Sequence, residues 1–187
     1  MDQTRKNFKG LAGIREIQNN IWVRRSDAFQ FGRDLTKRLF NSSDFIAGLM
    51  LYWAEGSKTT CTSVSNSDVD LIVFMVRWFE KFFGIKPEFL VVQMHIHSGQ
   101  NEQNMRQYWS RATGIPLENF QKSYVKLSGT GHRTKKLYYG TIKVRVKKVG
   151  SKFLLFNIFG AIAEFNFKTL RSKVDIHKWI PKPIYAE

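Results

Sequence analysis

Glu55 closes the uncharged run from Phe45 to Ala54 and is followed at once by Gly56 and Ser57. If that run is helical, its C-terminus carries partial negative charge and disfavours a carboxylate. A bound cation would reverse the penalty. Magnesium suits such a place, because it prefers hard oxygen ligands: the Glu55 carboxylate, a last-turn carbonyl such as that of Ala54, and phosphate oxygens. The plainer alternative is a glutamate solvated at a frayed helix end.

Gln93, His95 and His97 alternate with Val92, Met94 and Ile96. Alternation places the three polar residues on one face of a strand. Gln can read adenine edges, and His can donate to phosphate or base. A His-x-His pair is also a metal-ligand spacing, but no third Cys or His lies nearby in sequence to complete a zinc site. The third feature is charge. Between Asn119 and Ala163 there is no acidic residue, yet the stretch holds Lys122, Lys126, Arg133, Lys135, Lys136, Lys143, Arg145, Lys147, Lys148 and Lys152. From Thr141 to Lys147 the cations alternate with Ile142, Val144 and Val146. Such a strand presents an apolar face to helices and a cationic face to phosphates. An ordinary solvated face would mix signs.

The whole composition points the same way. Thirty Lys and Arg against fifteen Asp and Glu give a formal net charge of +15 over 187 residues. This imbalance costs self-repulsion in a compact chain and suggests a polyanionic partner. A basic surface kept only for solubility is the bland alternative. Hydrophobic residues make up 43% of the chain, enough for a core. The single cysteine, Cys61, excludes an intramolecular disulfide framework and a cysteine-rich zinc site. An intracellular protein is expected. Arg15, Glu16, Arg24 and Arg25 break the first apolar cluster, which argues against a signal peptide. No apolar run is expected to reach the ~18 residues that span a bilayer, so no membrane partner is expected.

The elements that would position these residues follow from periodicity and caps. Ile14 to Leu39 reads as a helix with a ragged stripe of Ile14, Ile17, Ile21, Phe31 and Leu35. Ser42, Ser43 and Asp44 cap the apolar helix, and Gly56 is expected to stop it in a left-handed conformation. Apolar on every side, this helix is expected to be buried all round, a second copy covering what its own chain leaves open. Thr59 to Ser65 reads as a strand. Asn66-Ser67-Asp68 caps a helix running to Phe83, with Leu71, Phe74, Met75, Trp78, Phe79 and Phe82 inside and Gly84 as its stop. Phe89 to His97 is a strand, Asn101 to Thr113 a helix ended by Gly114, and Lys122 to Leu127 and Thr141 to Lys147 are further strands. Gly129 to Arg133 reads as a basic loop, Phe153 to Phe167 as a last helix, and the tail from Lys168 as extended. Three regions result: a basic arm or helix over 1–40, a central domain over 41–167, and a tail over 168–187.

The stretch from Ala47 to Ser57 resembles the signature of LAGLIDADG homing endonucleases, aligned on its acidic-Gly end. Leu51 stands for the second Leu, Ala54 for the Ala, Glu55 for the catalytic acid and Gly56 for the final Gly. Asn66-Ser67-Asp68 and Leu71 before an amphipathic helix also look like the family. From Ile46 to about Ile162 the chain further resembles a bacterial LAGLIDADG-like group, through Ala54-Glu55-Gly56-Ser57-Lys58, Asn66-Ser67-Asp68 and His95-Ile96-His97. Departures are Trp53 at the place of the first Asp, Met50 at a small-residue position, and a shortened first strand region.

The resemblance implies an α+β fold whose antiparallel sheet faces DNA and is covered by helices on its other side. It implies a homodimer joined at the signature helix through Ala47, Gly48, Met50, Leu51 and Ala54, with Ala47 and Ala54 supplying the close approach. It further implies magnesium held by Glu55 and Ala54, and staggered cutting of a near-palindromic duplex. Nucleic-acid contacts are expected from Gln93, His95, His97, Lys122, Lys126, Arg133, Lys135, Lys136, Lys143, Arg145 and Lys147. A catalytically inactive binder on the same scaffold, either a transcription regulator or an intron RNA maturase, is the second reading, so RNA stays open as a partner. An unrelated basic structural protein is the third.

Overall fold

The computed structural model describes the backbone of residues 3–59, 61–126 and 138–171, and the side chains in those spans except 3–15, 126 and 148–150. Among the described residues the fold is α+β, with five α-helices and one four-stranded sheet. In chain order these are α1 (Gln3–Leu39), α2 (Ser43–Glu55), β1 (Ser63–Asn66), α3 (Val69–Phe83), β2 (Leu90–His97), α4 (Glu102–Thr113), β3 (Tyr124–Lys126), β4 (Thr141–Val146) and α5 (Lys148–Leu170). The chain divides into two compact units, Asn41–Lys152 and Met1–Phe40 with Phe153–Glu187. The helix expected within the central domain thus groups mainly with α1.

In the unit Asn41–Lys152 the strands lie in the order β1-β4-β2-β3. β4 pairs antiparallel with both β1 and β2, whereas β3 runs parallel to β2. The sheet is therefore mixed, which corrects the expectation of an antiparallel one. The cause is the connection: α4 carries the chain across between β2 and β3, and such a crossover returns the strand in the same direction. Leu90, Val92, Met94, Ile96, Ile142, Val144 and Val146 are all buried and form the inner face. With Phe45, Leu49 and Tyr52 of α2, Ile72, Met75, Val76, Trp78 and Phe79 of α3, and Met105 and Trp109 of α4, they make the core.

Local chemistry sets the helix ends. The Ser42 hydroxyl accepts from the Phe45 N–H and starts α2; the Asp68 carboxylate accepts from the Asp70 and Leu71 N–H groups and starts α3. Gly84 ends α3 at φ 67°, a left-handed cap as expected. Gly56 is different. It is extended, at φ −78° and ψ 153°, because it passes directly into an antiparallel bridge with Val64. Glycine is needed there for room: a Cβ would lie 2.5 Å from the Tyr52 carbonyl oxygen and 2.7 Å from its ring. The first strand is also shorter than expected, covering Ser63–Asn66.

In the other unit α1 and α5 meet at two glycines. A Cβ on Gly32 would lie 1.7 Å from the Asn157 carbonyl oxygen, and one on Gly160 would lie 1.8 Å from that of Phe29. The Thr36 hydroxyl donates to the carbonyl of Ala161, and Arg33 pairs with the buried Glu164 at 2.9 Å. The inner face of α1 is thus Phe29, Gly32 and Thr36; Ile17, Ile21 and Phe31 are exposed, contrary to the expected stripe. Leu35 is half-buried, and the Ile14 side chain lies outside the described residues. Residues 168–170, expected to be extended, close α5 as helix. Among the described residues one helix, Ser151–Leu170, is long and apolar enough to cross a membrane, although Lys152, Asn157 and Glu164 interrupt it and half of it is buried.

Candidate nucleic-acid interface

Strand register assembles the polar face residue by residue. Ser65, Lys143 and Gln93 lie side by side across β1, β4 and β2; Thr141, His95 and Tyr124 form the next row across β4, β2 and β3. On the other side of the first row stand Ser63, Arg145 and Val91. His97 is in register with Lys126. No acidic side chain occupies any of these positions. The four ion pairs formed among the described residues all lie elsewhere: Arg33–Glu164, Lys37–Asp34, Lys81–Asp44 and Arg106–Glu102. Lys143 and Arg145 are half-exposed cations, and among the described residues neither forms an ion pair. That arrangement is unfavourable alone and favourable beside phosphate.

Neighbouring residues aim some of these groups. The Arg145 guanidinium donates to the Gln121 side-chain oxygen at 3.4 Å, while the Lys147 ammonium, just past β4, donates to the Glu88 carbonyl at 2.7 Å. Lys122 is exposed ahead of β3. Arg133 with the basic loop expected over Gly129 to Arg133, and Lys135 and Lys136 after it, lie outside the described residues. Tyr124 escapes the sequence reading, although it repeats two residues after Lys122 and two before Lys126. It stands beside His95 with ring centroids 5.6 Å apart.

Glu55 is exposed at the end of α2. The helix end is tied to β1, the strand beside β4, by the Gly56–Val64 bridge and by the Ser57 N–H donating to the Ser63 carbonyl at 2.8 Å. The buried Tyr52 hydroxyl donates to the Ser57 carbonyl at 2.8 Å, and burial pushes its pKa well above the usual phenol value. Of the last-turn carbonyls, that of Tyr52 accepts from the Gly56 N–H; helix geometry gives that of Ala54 no intrahelical donor. The Lys58 ammonium donates to the Gly56 carbonyl at 2.8 Å, so one cation already faces this negative helix end. No group of three or more His, Cys, Asp or Glu able to hold a metal forms among the described residues. One carboxylate and one helix-end carbonyl supply two oxygen ligands of the roughly six that magnesium takes.

α2 itself is two-sided. Phe45, Gly48, Leu49 and Tyr52 are buried within the chain, while Ala47 and Ala54 are exposed and Met50 and Leu51 half-exposed. Residues 47, 50, 51 and 54 recur at three and four, forming one apolar stripe that the described residues leave partly open, flanked by the exposed Trp53. Gly48 is the correction to the expected interface. It faces Trp78, whose ring atoms would lie 2.1 Å from a Cβ, and the Trp78 indole N–H donates to the Phe45 carbonyl at 3.1 Å. A large aromatic packed on α3 requires glycine at that position. The flank that a second copy was expected to cover is thus open among the described residues of the single chain. No family model, curated protein or solved structure matches this chain.

Proposed function

We propose that the chain is a magnesium-dependent, site-specific double-strand DNA endonuclease acting as an intracellular homodimer. The observation that carries the reading is the sheet face on which Lys143, Arg145, Gln93 and His95 stand together without a carboxylate. Long-range attraction to phosphate gives such a face affinity, and Gln93 and His95 offer groups for base edges.

The exposed stripe of Ala47, Met50, Leu51 and Ala54 supports pairing through α2. Two α2 helices meeting there would bring both Glu55 carboxylates to one end of the joint interface, next to two cationic sheets. Glu55 and the Ala54 carbonyl would then hold magnesium, which when bound supplies Lewis-acid stabilisation of charge at the scissile phosphate. Lys143 and Arg145 fix the duplex backbone, and Lys58 adds positive charge at the helix end.

The test is Glu55→Gln, assayed for cleavage and binding on one labelled duplex, first with magnesium and then with calcium. The substitution keeps size and removes charge, so cutting should be abolished while affinity stays near wild type. Undiminished cutting removes Glu55 from the mechanism. Tight binding by the wild type without cutting, in magnesium or manganese, favours the inactive regulator on the same scaffold.

A further inference from the structure

We infer that Tyr124 and His95 form a stacking platform for an unpaired base of a DNA strand, at the β2–β3 edge of the cationic face. This rests on the nucleic-acid reading and extends it from backbone attraction to a separate base site. Tyr124 is 58% exposed although it is a large aromatic in a strand. Parallel register sets it directly beside His95, with ring centroids 5.6 Å apart and planes inclined at 46°. An exposed Tyr124 beside a half-exposed His95, at the strand that ends the sheet among the described residues, leaves aromatic surface outside the apolar core.

The neighbours indicate what the platform would hold. Thr141 completes the row, and Gln93 and Lys143 fill the next one. Lys122 is exposed two residues before Tyr124. The rings thus sit among cations and neutral polar groups, with no carboxylate in these rows to repel a phosphodiester. Bases stacked inside a duplex offer side chains their edges; a ring face serves only a base taken out of the stack. A protein that deforms its duplex, or meets a nick, gap or bulge, presents one.

The experiment uses the full-length protein in calcium, with three mixed-sequence probes: a perfect duplex, the same duplex with one bulged nucleotide, and a single strand. A second bulged duplex carries 2-aminopurine at the unpaired position as a stacking reporter. Tyr124→Ala should weaken binding of the bulged and single-stranded probes about five- to a hundred-fold and leave the perfect duplex within about two-fold. Tyr124→Phe, which keeps the ring and loses the hydroxyl, should behave as wild type. Fluorescence of the reporter should be quenched by the wild type and the Phe variant alone. Tyr124→Leu keeps apolar bulk without a π-face and replaces the Ala variant if that one fails to fold.

Equal weakening on all three probes, no weakening on any, or a Phe variant as impaired as Ala overturns the platform. Lys143→Ala keeps the two ideas apart, since it should weaken every probe. If it does while Tyr124→Ala changes nothing, the cationic face stands and the base site falls. If the wild type binds none of the probes, both fall.

Discussion

On β4 the side chains alternate between two jobs, so a single strand provides its own control. Ile142 and Val144 are buried, whereas Lys143 and Arg145 are half-exposed on the opposite face. Lys143→Ala or Arg145→Ala should weaken DNA binding and lower the log–log salt slope by about 0.9 for each phosphate contact removed. Thermal stability should hardly change. Ile142→Ala should do the reverse, costing roughly 2–5 kcal/mol of stability through lost burial while the salt slope persists. Salt-titrated binding and thermal melts on the same samples separate the two, and interchangeable phenotypes would contradict the face assignment. This much could be read from the sequence, because a period of two leaves only two faces and the apolar residues claim one. Tyr124 could not be found in that way. Its three-residue strand is too short to show a period, and its importance comes from a neighbour, His95, that is distant in sequence.

Among the elements, α2 and its exit show where local rules hold and where packing overrides them. The caps at Ser42, Asp68 and Gly84 follow from side-chain acceptors and a left-handed glycine, all local and all predictable. Gly56 follows from the tertiary bridge to Val64, which no local signal announces. The two glycines therefore respond differently to substitution. Gly84→Asn should be nearly neutral, since Asn tolerates a left-handed φ and open space surrounds the site. Gly56→Asn should destabilise by roughly 1–3 kcal/mol, as Gly56→Ala should, through collision with Tyr52. Chemical denaturation of the three variants checks this; an Asn at 56 that matched wild type would restore the left-handed cap. The parallel placement of β3 was available in principle, because a strand, a helix and a strand in succession form a crossover. The α1 stripe is not legible from apolar periodicity because Phe29, Gly32 and Thr36, the positions that approach α5, are mostly not strongly apolar.

For the whole molecule, the decisive feature is an apolar stripe on α2 that the described residues leave partly open. Ala47→Glu or Ala54→Glu should convert a dimer into a monomer or insoluble protein, because pairing would bury an unpaired charge. Sedimentation at micromolar concentration reads this directly, and a wild-type monomer with and without DNA would contradict pairing through α2. If two copies pair as proposed, two identical sheets related by a two-fold axis would read two half-sites of the same sequence, and two Glu55 carboxylates would act on opposite strands. The most direct measurement is therefore incubation of the purified protein with a randomised duplex library and magnesium, followed by sequencing of the cleaved ends. The account predicts recovery of one near-palindromic site, cut on both strands at symmetric, staggered positions. Absence of cleavage in magnesium and manganese, or cutting without two-fold symmetry, would contradict it.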